Sequence, residues 1–157
     1  MPSMIQKDMK QLMQDVEVVQ ESLEILNGNY AARGSDIREA NLLPLLKNVT
    51  HLESDLSMTI SDCVSLGRRY WKDHNLPAIG TLHQSFVDLN SLFSMLKRIK
   101  ENSRGRAVHP SEFQELIIDW YKFKKSLLKA MEFIKRPQIR RKHYPWPAEA
   151  KGKKTPE

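Results

Sequence analysis

Residues 5–26, IQKDMKQLMQDVEVVQESLEIL, decide the fold class. Ile5, Met9, Leu12, Val16, Val19, Leu23 and Leu26 recur in alternating steps of four and three. That spacing is an unbroken a/d heptad over three repeats, the mark of an amphipathic helix with one apolar seam. Asn27-Gly28-Asn29 follows, and residues that tolerate positive φ end a helix well.

Working outward, three more segments carry the same period. The second opens at Ser35-Asp36, where Asp36 and Glu39 have capping-box spacing. Its seam runs Leu42, Leu45, Val49, Leu52, Leu56, Cys63, Leu66, Tyr70, with Thr59 in line and Ile60 beside it. Pro44 either kinks this helix or marks the first turn of one capped by Asn41. The third starts around Pro77 and runs Ile79, Leu82, Phe86, Leu89, Phe93, Leu96 before fading at Asn102-Ser103-Arg104-Gly105. The fourth begins at Pro110, with Ser111 and Gln114 at capping-box spacing. Its seam is Phe113, Ile117, Trp120, Leu127, Met131, Ile134, interrupted by Lys124, and Pro137 ends it.

No stretch alternates strictly over a β-rich run, so no sheet is expected. Short connections favour antiparallel neighbours. The expected architecture is all-α: an antiparallel up-down-up-down four-helix bundle over residues 4–135, followed by a basic Pro/aromatic tail over 136–157. The first heptad would also allow an intermolecular coiled coil, leaving a homodimer or a larger complex open.

Composition narrows the function classes. The chain has 157 residues, 40% hydrophobic and 28% charged, with a net charge of +6 and one cysteine. A disulfide scaffold is excluded. No apolar run approaches the ~20 residues of a membrane helix, and the first ten residues lack a signal-peptide pattern. A soluble, intracellular setting is expected. Lys135-Arg136 with Arg140-Arg141-Lys142 could also act as a nuclear import signal.

The charge is unevenly placed. Residues 1–121 carry 13 Lys/Arg against 16 Asp/Glu, a net of −3, whereas residues 122–157 carry 12 against 3, a net of +9. Four prolines fall in 136–157, and so polar a segment buries too little apolar surface to offset its ordering entropy. It is expected to be extended or disordered when unbound, with Tyr144-Pro-Trp-Pro147 able to dock on the bundle, a partner or a base.

Up-down-up-down topology adds a prediction that composition cannot. The start of helix 1 and the ends of helices 2 and 4 share one pole. Arg68, Arg69, Lys72, Lys129, Lys135 and Arg136 gather there with Lys7 and Lys10, and the tail adds Arg140, Arg141 and Lys142. Trp71, Tyr144 and Trp146 lie among them. Cations neutralise phosphates while rings stack on bases, so this mixture suits nucleic acid, single strands above all. The leading expectation is a non-catalytic module that binds RNA or DNA in a nucleoprotein assembly. An acidic protein surface is the alternative partner, which would make the chain a protein-interaction subunit or adaptor.

Signals for catalysis or cofactors are sparse. No Glu-x-x-His pair, Cys-x-x-Cys-His or glycine-rich phosphate loop occurs, so no cofactor or metal is expected. His51 and Asp55 are a lone i, i+4 pair, and Cys63 reads as a small buried hydrophobe. Arg104-Gly105-Arg106 reads as a solvated loop with two guanidiniums. Asn48-Val-Thr50 is a glycosylation sequon by letter only, since it falls within a helix. Arg followed at a spacing of five to seven by His occurs at Arg69/His74, Arg104/His109 and Arg136/His143. On those residues alone the chain superficially resembles the nucleotide-binding helical bundles of prokaryotic toxin systems. That resemblance implies a ribonuclease in which Arg69 would hold a phosphate and His74 would move a proton.

Overall fold

The computed structural model describes residues 3–66 and 76–135. Four long helices make up the domain: α1 (Ser3–Asn29), α2 (Leu43–Ser65), α3 (Leu76–Asn102) and α4 (Pro110–Lys135). They form an all-α four-helix bundle in up-down-up-down order, with no strand among the described residues. We call the end holding the start of α1 and the ends of α2 and α4 the proximal end, and the opposite one the distal end.

All seven a/d residues of α1 are buried, from Ile5 to Leu26. The heptad is therefore consumed inside the monomer, and its seam is not available to pair with another chain. In α2 the buried positions are Leu45, Val49, Leu52, Leu56, Thr59, Ile60 and Cys63, as the period predicts. Its start differs from the expectation. A short 3-10 turn over Glu39–Leu42 precedes it, and α2 begins at Leu43 with Pro44 in its first turn, where a missing N–H costs nothing. Asp36 does not cap the helix but pairs with Arg38 at 3.1 Å, while the Arg38 N–H donates to Asn41 Oδ1.

Two seams follow the spacing in part: Leu82, Leu89 and Leu96 of α3 and Phe113, Trp120, Leu127, Met131 and Ile134 of α4 are buried as expected, and the rest shift by one residue. In α3 the fully buried residues are Ala78, Leu82, Ser85, Leu89, Leu92, Leu96 and Ile99, and Ile79, Phe86 and Phe93 are only partly buried. In α4 the core passes through Leu116 and Phe123 rather than Ile117 and Lys124. Ser85 and Ser126 share a hydrogen bond of 3.1 Å between α3 and α4 within this seam. Lys124 sits at the edge of the core and sends its ammonium to Gln20 Oε1 at 3.2 Å.

The distal end is closed by backbone. The Val108 N–H donates to the Ile37 carbonyl at 2.7 Å, tying the α3–α4 connection to the α1–α2 connection, with both side chains buried. Gly34 and Gly105 stand at φ 71° and 73° in these connections, in the left-handed region that glycine enters freely. His109 caps α4: its Nδ1 accepts from the Ser111 N–H, and its own backbone N–H donates to Glu112 Oε1. The reciprocal cap is thus His109/Glu112, two residues earlier than the expected Ser111/Gln114.

The α1–α2 seam carries a polar ladder at its edge. Asn41 donates to the Tyr30 hydroxyl at 3.0 Å, and Asn48 donates to Ser22 Oγ at 2.7 Å. Seven residues further along each helix Asp15 meets Asp55, and seven further still Asp8 meets Asp62. The sequon asparagine, Asn48, is therefore part of the helix–helix contact.

Candidate anion-binding surface

The antiparallel order brings Lys7 and Lys10 on α1 and Lys129 and Lys135 on α4 to the proximal half of the bundle. All four are exposed, and none pairs with a carboxylate of a described residue. The expected contributions of Arg68, Arg69, Lys72, Trp71, Arg136, Arg140, Arg141, Lys142, Tyr144 and Trp146 lie outside the described residues. Of the sequence-predicted site residues, the structure thus describes Lys129 and Lys135.

The distal end differs in part. Arg38 pairs with Asp36, Lys100 and Arg104 reach Glu39 at 3.5 and 3.8 Å, and Arg106 reaches Glu112 at 3.9 Å. Four cations there are thus paired with acids, while Arg33, Lys47, Lys97 and Arg98 at the same end are in no ion pair with a described residue. Arg104 and Arg106, which flank Gly105, are structural in this sense: their guanidiniums hold the two connections rather than stand free. A cavity of about 500 Å³ lies at this end, lined by Asn27, Gly34, Ile37, Arg106, His109 and Phe113 among others. Its two basic side chains are already engaged, Arg106 with Glu112 and His109 in the helix cap. Of the Arg104/His109 pair, the imidazole Nδ1 is taken up in the helix cap. His74 and His143 lie outside the described residues.

Lys122 and Lys125 also stand on α4. Both are exposed and unpaired among the described residues, and they continue the line of Lys129 toward the helix middle. Their spacing of three and four residues was the available signal, since it puts them on one ridge. Beside that ridge runs a groove between α1 and α4 of about 370 Å³. It is lined by Gln20, Leu23, Glu24, Asn27, Gly28, Gln114, Ile117, Trp120 and Tyr121. Trp120 forms its floor, with the indole N–H donating to Gln20 Oε1 at 2.7 Å.

Two carboxyl pairs distinguish the α1–α2 edge. Burial pushes the Asp15 carboxyl up to about 6, helped by its hydrogen bond to Asp55, while Gln11 pulls the other way. Burial also raises Asp8 to about 6, with Asp62 adding to the effect. Asp8 Oδ2 and Asp15 Oδ2 are buried with no hydrogen-bond partner, and a proton held on the raised carboxyls of Asp8 and Asp15 lets each pair share a hydrogen bond. Cys63 lies close by, and burial pushes its thiol up to about 12, with Asp8 and Asp62 adding to the rise. A thiol in that setting is not a nucleophile at neutral pH. Among the described residues no group of three or more His, Cys, Asp and Glu is arranged to hold a metal ion, His51 and Asp55 included. No described helix is long and apolar enough to cross a membrane.

The chain matches no protein-family profile, no curated protein and no solved structure.

Proposed function

We propose that the chain is a non-catalytic binding module whose proximal end engages an anionic polymer, most concretely RNA or DNA within a nucleoprotein assembly. One observation supports this reading above the others. Lys7, Lys10, Lys129 and Lys135 of the proximal half are exposed and in no ion pair with a described residue, whereas Arg38, Lys100, Arg104 and Arg106 of the distal half are held by carboxylates. Residues 136–157, which follow α4 at that end, carry seven Lys/Arg against two Asp/Glu, a net of +5. Each phosphate contact releases counterions, so a cluster of free cations on one end gains affinity without base recognition. Arg140, Arg141 and Lys142 would extend the contact, and Tyr144 and Trp146 would stack on bases.

The test uses the full chain. Fluorescence anisotropy with a random single-stranded oligonucleotide at ~50 mM salt should show binding. Reversing Lys129 and Lys135 to Glu should weaken it about tenfold or more, whereas reversing Arg104 and Arg106 should leave it within about twofold. Absence of binding by the intact chain at that salt refutes the reading.

The adaptor reading has its own support in the face made by α1 and α4, which exposes apolar side chains beside unpaired charges. A ribonuclease using Arg69 and His74 is the third reading, and it is tested by His74→Ala in a cleavage assay.

A further inference from the structure

The α1–α4 face is unlike the other sides of the bundle in how its charge is divided. Its α1 edge presents Glu17 and Glu21, both exposed, and its α4 edge presents Lys122 and Lys125, also exposed. These groups lie at matching heights. Gln20 receives hydrogen bonds from both Trp120 and Lys124, which fixes the middle of α1 level with the middle of α4. Glu17 and Glu21 lie within one turn of Gln20, and Lys122 and Lys125 lie within one turn of Lys124. Yet none of the four is in an ion pair with any described residue, because the groove separates the two edges. Tyr121 and Leu128, seven residues apart on the groove side of α4, are 51% and 44% exposed. An apolar strip with an acidic rail on one side and a basic rail on the other calls for a partner with the reverse arrangement.

The chain itself has that arrangement. Face-to-face packing of two copies allows two kinds of two-fold axis in the plane of the interface. An axis across the helices would set α1 on α1 and α4 on α4, opposing Glu to Glu and Lys to Lys. An axis parallel to the helices sets each α1 against the partner copy's α4. Rotation about that axis preserves height, so the acids meet the lysines at their own level. We infer that the α1–α4 face is a homodimer interface, isologous about a two-fold axis parallel to the bundle, with Glu17 and Glu21 of each copy facing Lys122 and Lys125 of the other. Tyr121 and Leu128 supply the apolar centre and the charges set the register. This interface is distinct from the α1 heptad seam, which is buried within each monomer. It also leaves Lys129 and Lys135 of both copies at the same end of the assembly.

Charge reversal on the intact chain tests this directly. Sedimentation velocity or light scattering over a concentration series should show the wild-type chain at twice the monomer mass. E17K/E21K alone and K122E/K125E alone should each be monomeric, with unchanged helical circular dichroism. Mixing the two variants should restore a dimer, since every rail then meets its opposite. The quadruple variant in one chain should also dimerise. Leu128→Ser should weaken the dimer about tenfold or more without altering the monomer's far-UV spectrum. A wild-type chain that stays monomeric up to about 1 mM overturns the inference. So does a mixture of the two reversed variants that stays monomeric.

Discussion

Replacing Asp15 with Asn should make the bundle more stable at neutral pH and leave it nearly unchanged in mild acid. Asp15 lies in the α1–α2 edge with one oxygen buried and without a donor, facing Asp55. Below its raised pKa of about 6 the carboxyl carries a proton and can donate it across the seam. Above that pKa two carboxylates face each other. The folded state thus holds protons more tightly than the unfolded chain, whose Asp titrates at about 3.8. Stability from this contact is complete below about pH 3.8 and is lost as pH rises through about 6. The full interval of about two pH units corresponds to about 3 kcal/mol at 1.36 kcal/mol per unit. The carboxyl is only half-buried, and solvent screening reduces that to about 1 kcal/mol.

An Asn amide donates at every pH, so Asp15→Asn should gain about 1 kcal/mol at pH 7.5, or about 4 °C in Tm for a domain of this size. At pH 4.5 most of the gain should be gone, and below about pH 3.8 it should vanish. The assay is urea denaturation of wild type and variant at both values, taking the difference so that the remaining titrations cancel. A difference that is the same at both pH values refutes the shared-proton reading of this seam. So does a variant less stable than wild type at pH 7.5.

Other outcomes follow from single contacts. Trp120→Ala should cost about 3–5 kcal/mol, since the indole fills the floor of the α1–α4 groove and is fully buried. Gln20→Leu should cost about 1–3 kcal/mol by leaving the Trp120 N–H without an acceptor; chemical denaturation measures both. Gly105→Ala should lower stability by about 1 kcal/mol in the same assay, because φ is 73° although the space around it is open. Cys63 should resist a thiol reagent in the native protein and react at once in denaturant, because the thiol is buried and its pKa is raised. Rapid native labelling would contradict its place in the core.

How much of this the sequence carried depends on which physical quantity was asked for. The α1 seam was legible residue by residue, because seven apolar positions in steps of four and three leave one choice of buried stripe. α3 and α4 were legible as helices but not in rotation. Leu92 stands next to Phe93, Leu116 next to Ile117, and Phe123 next to Lys124, so two adjacent stripes compete. The winner is set by packing across helices, which no single-helix period contains. The Asp8/Asp62 and Asp15/Asp55 pairs were hidden for the same reason. Their seven-residue steps are visible on each helix, but the register that sets them opposite one another belongs to the packed pair. At the candidate site, topology placed Lys129 and Lys135 correctly at the end shared by α1 and α4. What charge counting could not foresee was that Arg38, Lys100, Arg104 and Arg106 would be compensated at the other end, since compensation depends on where Glu39 and Glu112 come to lie.

The most direct measurement of the central claim is the salt dependence of oligonucleotide affinity. Log K for the intact chain should fall linearly with log salt, at about 0.7 per phosphate neutralised on a single strand. K129E/K135E should lower both the affinity and the slope, by about one to two in the slope. A flat salt response, or a slope unchanged by reversing those two lysines, would contradict the assignment of the proximal end as the binding surface.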